Sequence, residues 1–180
     1  KKGYSKIKKY VSELLLTHVD TTPVMLENKE HNSRSTYLFK RGSWLSPTEK
    51  VTSGVPQSFS DWNPNWAPNR LGLAQWLIDK ENSLTSRTLV NRIWHQIFGI
   101  GIVSTIEDMG TQSEPPTHPK LLDWMSVNLI EDQKWSLKKL IKSIVLSSTY
   151  KQSSKISEKK YAVDPNNIIY SRGPKVRLKA

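Results

Sequence analysis

The sequence predicts a mainly α-helical fold, an antiparallel helical bundle that carries a small extended or β-hairpin arm on its N-terminal side. Two observations lead to this prediction. Helical apolar stripes joined by short connections dominate the second half of the chain. Short β-like runs separated by stretches rich in Pro, Asn and Gly occupy the first third. A boundary near Pro68 therefore divides the chain into an arm, residues 1–68, and a helical core, residues 69–180.

The arm begins with the end of a helix, because residues Tyr4–Leu16 carry an apolar stripe of helical spacing. Two short apolar runs follow, Pro23–Leu26 and Ser35–Phe39, and each reads as a strand. They predict a hairpin with a long polar loop. Glycine and proline residues predict irregular structure over residues 42–56.

Four helices follow in the predicted core. Asn69 can cap the first of them, and the second covers Thr85–Phe98 with Gly99 as its C-terminal cap. Pro119 stands at the favoured first-turn position of the third, and Ser136 caps the fourth. The fourth helix turns three lysines outward: Lys138, Lys139 and Lys142.

Composition narrows the function classes. The 27 Lys and Arg residues outnumber 16 Asp and Glu residues, and the resulting charge of +11 favours polyanionic partners such as acidic glycans. The lysines cluster toward both ends without an Arg-rich recognition helix, a pattern that does not favour nucleic acid. No apolar run reaches the roughly 20 residues of a membrane span, and no signal peptide opens this segment. We expect the chain to be a piece of a longer protein.

No cofactor or metal is predicted for this segment. The chain contains no Cys, which excludes disulfides, thiolate metal sites and a Cys nucleophile. Phosphate-binding, nucleophile-elbow, dinucleotide and haem-attachment motifs are also absent from the sequence. The sequence therefore contains no recognisable enzyme signature.

His95 is the first candidate site residue. Arg87, Asn91 and His95 lie four residues apart, so they form a polar edge beside the apolar stripe of their helix. Such an edge could line a ligand pocket near the Gly99–Gly101 turn. The alternative, which we favour, is that these side chains hydrogen-bond the neighbouring backbone at a packed helix edge.

The loop after that helix supplies the candidate catalytic residues Asp108, Glu114 and His118, with His95 as a fourth. Carboxylates and imidazoles could perform acid–base chemistry if burial separated their pKa values. The spacing matches no metal motif, and the two prolines before Thr117 prevent Glu114 and His118 from sharing a helix. A structural role for the loop is favoured.

The tryptophans divide into two groups. Trp76, Trp94 and Trp124 lie on apolar helix faces and are predicted to be core residues. Trp62 and Trp66 flank a short loop, where their rings could stack on a sugar. The alternative for this pair is that the rings close one edge of the core.

Several long motifs, in order, resemble one known family. They are "STYLFKRGSWLSPTEKVTSGVP", "NRLGLAQWLIDKENSLTSRTLVNRIWHQIFGIGIVSTIEDMGTQSEPPTHPKLLDWM" and "LSSTYKQSS…DPNN". The chain resembles the C-terminal domain of unknown function of large planctomycete-type proteins that also carry a cytochrome-c-like domain. The resemblance implies export to the periplasm or cell surface, haem in another domain of the parent protein, and a link to polysaccharide use. It implies no reaction.

The pattern of that family matches many positions of this chain: Asn91-Arg92, Trp94, Phe98-Gly99, Gly101, Asp108, Gly110, Glu114-Pro115-Pro116 and His118-Pro119. Met109 and Ser113 stand where the family has Phe and Gly, which suggests an altered loop. A further helix of the family would begin around Arg177 and is truncated here.

Together these observations predict a non-catalytic structural or interaction module with a basic surface. Its expected partners are other domains of the parent protein and acidic or sulfated polysaccharide. The first alternative is a polysaccharide-active enzyme domain that uses the carboxylates and histidines named above. The second is nucleic-acid binding through basic charge alone.

Overall fold

A computed structural model describes residues 2–16, 22–28, 32 and 34–175. The chain divides into two compact units, Lys1–Val51 and Thr52–Ala180. The described part is mainly helical with one small antiparallel hairpin, as predicted. The composition boundary near Pro68 stays a prediction, and the helix expected around Arg177 lies outside the described residues. No described helix is long and apolar enough to cross a membrane.

The first unit contains helix α1, Lys2–Leu16, and the strands β1, Thr36–Phe39, and β2, Pro47–Val51. The strands pair antiparallel, with Thr36 opposite Val51. A hairpin is therefore confirmed, but its predicted strand partner is wrong, since residues 22–28 are not a strand.

A tight connection explains this strand pairing. One turn of 3₁₀ helix, Lys40–Gly42, follows β1, and positive φ angles at Arg41 (51°) and Gly42 (76°) reverse the chain. The backbone N–H of Lys40 donates to the carbonyl of Ser46 at 3.0 Å. Closing this short loop costs less conformational entropy than the long polar loop that we predicted. Pro47 is tolerated because it is the first residue of β2.

The described residues of the second unit form five helices: α2, Arg70–Ile78; α3, Ser83–Phe98; α4, Pro119–Glu131; α5, Leu137–Val145; and α6, Glu158–Val163. The predicted caps of α2 and α5 are confirmed. Asn69 Oδ1 accepts from the N–H groups of Leu71 and Gly72 at 3.0 and 3.1 Å, and Ser136 caps α5. The backbone of Gly99 ends α3 with φ 81°.

The core of this unit forms where α3 packs on α4, which is the most extensive contact between two helices of the described part. Residues from both helices, the following loop, α5 and the C-terminal segment contribute to it: Val90, Trp94, Phe98, Ile102, Val103, Leu122, Met125, Leu129, Leu140, Ile144 and Tyr170. The antiparallel bundle stays a prediction.

Two of the three predicted core tryptophans are buried, Trp76 at 6% and Trp94 at 4% exposure. The prediction for Trp124 is wrong, because its side chain is 60% exposed on α4. The neighbouring residues Leu122 and Met125 fill the buried face of that helix instead. Helical spacing placed an apolar face on α4 but did not show which of its edges met another element.

Candidate functional site

The predicted polar edge of α3 contains a backbone clamp at Asn91. This side chain is fully buried; its Oδ1 accepts from the N–H of Val103 at 2.9 Å, and its Nδ2 donates to the Val103 carbonyl at 3.0 Å. One amide thus satisfies both polar groups of a buried peptide residue. The clamp fixes the loop that leaves α3, and these contacts fit the packing role that we favoured for Asn91.

Gly101 is required for this clamp. A Cβ atom at position 101 would lie 2.4 Å from the carbonyl oxygen of Val103 and 2.9 Å from Asn91 Oδ1. Both distances are shorter than real contacts allow, and the carbonyl belongs to the backbone. Gly101 therefore serves the close approach of loop and helix, and need not be explained by a ligand.

An aromatic cluster surrounds Tyr170, which is 7% exposed. Trp94 Nε1 donates to the Tyr170 hydroxyl at 2.8 Å, and the Trp94 and Phe98 rings stack at 4.2 Å. The Tyr170 ring also lies 5.2 Å from the His118 ring, between centroids. The cluster joins α3, the start of α4 and the C-terminal segment, and so defines how three separate parts of the chain meet.

The environment of Tyr170 changes its acidity. Burial raises the pKa of Tyr170 above its ordinary value of 10.0, and the Asp164 carboxylate acts in the same direction. Hydrogen bonds with Trp94 and Thr117 lower the pKa, but burial dominates. The phenol is therefore kept neutral and acts as a hydrogen-bonding core residue.

A pH prediction follows for Tyr170. A folded-state pKa above the unfolded value gives stability that is present below pH 10.0 and is lost as the pH rises through the folded-state pKa. Phenylalanine has no ionisable group. As the pH rises from about 9 to about 11, we therefore expect the free energy of unfolding to fall less for Tyr170→Phe than for wild type. Urea titrations at both pH values measure the slopes. The exposed Tyr161→Phe is the control, and parallel slopes for Tyr170→Phe and wild type would contradict the prediction.

His95 lies half-buried on the same helix, and its Nδ1 is buried without a hydrogen-bond partner in the described part. Arg87 turns elsewhere: its Nε and Nη2 contact Asp123 Oδ1 at 2.9 and 2.7 Å. The three residues of the predicted edge thus have separate surroundings, and Arg87, Asn91 and His95 do not act on one group. Their assignment as ligand-binding residues stays a prediction.

The loop residues have local roles. Asp108 Oδ1 accepts from the Gly110 N–H at 2.7 Å, which closes a turn. Glu114 is exposed and lines a cavity of about 270 Å³ beside Tyr170 and Thr117. His118 precedes α4 without capping it through its side chain, and its Nδ1 lies 3.0 Å from Thr117 Oγ1.

The four candidate catalytic residues are all described, but no hydrogen bond or ion pair joins any two of them. The cavity that Glu114 lines includes none of the other three. Among the described residues, no group of three or more His, Asp and Glu lies close enough to hold a metal ion. Catalysis by Asp108, Glu114, His118 and His95 stays a prediction without geometric support.

The loop tryptophans contact each other and α2. The Trp62 and Trp66 rings meet edge to face at 5.8 Å, and both are half-buried. A Cβ atom at Gly72 would come 2.8 Å from the Trp62 ring, so this ring presses on the α2 backbone. This arrangement fits the structural alternative, in which the pair closes a core edge; sugar stacking stays a prediction.

Sequence reasoning missed a buried hydrogen-bond network in the C-terminal segment, which we call the 164–172 network. Asp164 accepts from the N–H groups of Ile168 (2.7 Å) and Ile169 (3.1 Å). Arg172, 8% exposed, donates to the carbonyls of Asp164 and Pro165, both at 2.7 Å. The Asp-Pro-Asn-Asn string predicted a turn, but nothing in it indicated a buried arginine.

The stretch from Lys134 to Lys175, called the lysine segment below, is strongly basic. Nine of its lysines are exposed: Lys134, Lys138, Lys139, Lys142, Lys151, Lys155, Lys159, Lys160 and Lys175. Its acidic residues are Glu158, which is exposed, and Asp164, which is 4% exposed and bonded to backbone. No ion pair involves these lysines in the described part of the chain.

Comparison with known proteins shows which family the second unit matches. A family model described as PSD1, protein of unknown function (DUF1553), matches residues 69–180. The match includes the Asn91 clamp, the aromatic cluster around Tyr170 and the lysine segment. No curated protein and no solved structure matches the chain. The chain belongs to the PSD1 family of proteins of unknown function, DUF1553.

Proposed function

We propose that this chain is a non-catalytic interaction module whose basic surface binds acidic polysaccharide. The observation that supports the proposal is the lysine segment, with nine exposed lysines and one exposed acidic residue. Unpaired surface charges of one sign attract polyanions and raise the rate of encounter with them. A single exposed ion pair contributes little, so binding depends on many lysines acting on one polymer.

The geometry gives less support to an enzyme. A general acid and its partner base must reach one reacting group. Asp108 is committed to its own turn and His95 Nδ1 contacts no described partner. Burial raises the pKa of Tyr170, and its hydroxyl is engaged by Trp94 in the core. These contacts support a structural role for the residues that form them.

The family resemblance extends the proposal to the parent protein. We place the module in an exported, planctomycete-type multidomain protein with haem in another domain and no cofactor in this segment. Other domains of that protein are the second class of partner, and their contact would compete with polysaccharide for the same lysines.

Polysaccharide binding is tested with the full chain on immobilised heparin and chondroitin sulfate. We expect affinity to fall about tenfold or more as NaCl rises from about 50 to about 200 mM, because bound counterions are released. Replacing Lys138, Lys139 and Lys142 by Gln should lower the eluting salt concentration more than replacing Lys6, Lys8 and Lys9, which removes the same charge from α1.

Three outcomes would overturn the proposal. Absence of binding at low salt would remove polysaccharide as a ligand. Duplex DNA that binds more tightly than either glycan at the same ionic strength would favour the nucleic-acid alternative. Equal loss from both triple variants would assign the binding to net charge and not to the lysine segment.

A further inference from the structure

A basic cavity of about 350 Å³ lies beside the C-terminal end of α3, and we call it the Arg172 cavity. The polar side chains that line it are those of Arg172, Lys175, Asn166, Asn167 and Ser154. None of the described residues that line it carries a carboxylate. Its volume falls at the lower end of small-molecule pockets, roughly 300–1,000 Å³, and suits a ligand of one sugar residue.

Arg172 gives the cavity a buried positive charge. Its two Nη atoms donate to the carbonyls of Asp164 and Pro165, which are neutral groups, and no ion pair with it exists in the described part. The nearby Asp164 carboxylate is occupied by two backbone N–H groups. Arg172 Nε has no hydrogen bond and is not sealed from solvent. Buried charges usually have a partner of opposite charge, and none of the described residues is such a partner for Arg172.

Several hydrogen bonds hold the backbone on either side of Arg172. Asn167 Oδ1 accepts from the Arg172 N–H at 3.2 Å, and Asn167 Nδ2 donates to the Arg172 carbonyl at 3.1 Å. The Gly173 N–H donates to Ser153, and a Cβ at Gly173 would lie 2.3 Å from the Gln152 carbonyl. A guanidinium held this way needs little reordering to receive a ligand.

Three further donors face no competing partner. Lys175 and Asn166 are exposed, and neither they nor the Ser154 hydroxyl forms a hydrogen bond with described residues. The C-terminal end of α3 at Gly99 also lines the cavity, and the helix dipole places about half a negative charge there, which repels an anion. Two full positive charges outweigh it, so the cavity attracts anions.

We propose that the Arg172 cavity binds a single oxyanionic group of a saccharide, either a sulfate ester or a uronate carboxylate. Arg172 and Lys175 are its cationic partners: the Arg172 Nε–H is the guanidinium donor without a hydrogen bond among the described residues, and Lys175 supplies an ammonium group, so each can donate one charged hydrogen bond to the oxyanion. This inference rests on the proposed function: the lysine segment holds an acidic polymer through its charge, and the cavity selects one charged residue of it.

The test uses the ¹⁵N-labelled full chain titrated with galactose 6-sulfate, glucuronic acid and neutral galactose. We expect the two acidic sugars to shift the backbone amide signals of Arg172, Gly173 and Lys175, and neutral galactose to leave them unchanged. Arg172→Gln and Lys175→Gln should each weaken binding about tenfold, as expected for loss of one charged hydrogen bond. Lys159→Gln, an exposed lysine that does not line the cavity, should change it less than about twofold.

Arg172→Gln removes hydrogen bonds of the 164–172 network and could unfold this segment. Lys175→Gln and Asn166→Ala alter exposed side chains, so the test remains decisive in that case. The proposal that the Arg172 cavity binds an acidic sugar would be overturned if neither acidic sugar shifted these amide signals. Equal effects of Lys175→Gln and Lys159→Gln on binding would also overturn it. Heparin binding would then still stand. Conversely, binding of the acidic sugars without binding of heparin would support the cavity as a sugar site and reject the proposal that the lysine segment binds a polysaccharide. The tighter of the two acidic sugars identifies sulfate or carboxylate as the ligand group.

Discussion

Asn91→Ala is expected to lower the free energy of unfolding by about 2–5 kcal/mol. The substitution leaves the N–H and the carbonyl of Val103 without their partner, and both lie in a region sealed from water. Each unsatisfied buried polar group costs roughly 1–3 kcal/mol. Denaturant titration followed by tryptophan fluorescence measures the loss.

Gln96→Ala is the matched control for Asn91→Ala, because Gln96 is exposed on the same helix. We expect its effect to stay within about 0.5 kcal/mol. Asn91→Asp separates the two bonds, since a carboxylate can still accept from the Val103 N–H but cannot donate to the Val103 carbonyl. A loss below about 1 kcal/mol for Asn91→Ala would show that solvent or a neighbour replaces the clamp.

Four of the five helices described in the second unit were predictable because local chemistry specifies them, whereas α6 was not predicted. Asn69 and Ser136 cap helices through side-chain oxygens, and Pro119 begins one with its fixed φ. Each signal acts within a few residues of itself. The start of α3 moved by two residues, to Ser83, because Asn82 supplies the cap.

Long-range pairing was not predictable from the same patterns. The sequence patterns predicted that β1 pairs with residues 23–26 and that residues 47–51 are irregular, whereas residues 47–51 form β2 and pair with β1 across the turn at Arg41 and Gly42. Trp124 shows the same limit on a helix. Periodicity gave α4 an apolar face, but the packing of α3 on α4 left this tryptophan in solvent.

The candidate site shows how much can be predicted from the spacing of residues along a helix. The four-residue spacing of Arg87, Asn91 and His95 predicted a polar helix edge, but not that Asn91 would clamp Val103 or that Arg87 would pair with Asp123. The buried guanidinium of Arg172 gave no sequence signal at all. Its position depends on backbone carbonyls presented by a turn, which carry no side-chain signature.

Trp94→Ala is expected to cost about 3–5 kcal/mol of unfolding free energy, which is the usual loss for a large buried aromatic residue. The Trp94 ring is 4% exposed and stacks on Phe98, and its indole N–H donates to the Tyr170 hydroxyl. Alanine leaves a cavity where α3 meets the C-terminal segment. Thermal and denaturant unfolding measure the change.

The same substitution at Trp124 provides the control for Trp94→Ala. Trp124 is 60% exposed, so removing its ring should cost less than about 1 kcal/mol. Trp94→Phe retains an aromatic ring but loses the bond to Tyr170, and its loss should fall between the two. Because both tryptophans lie on apolar helix faces in the sequence, equal losses at positions 94 and 124 would contradict the core described here. A large loss at Trp94 alone would support the burial of its ring in the aromatic cluster, and a further difference between Trp94→Phe and wild type would support the bond to Tyr170.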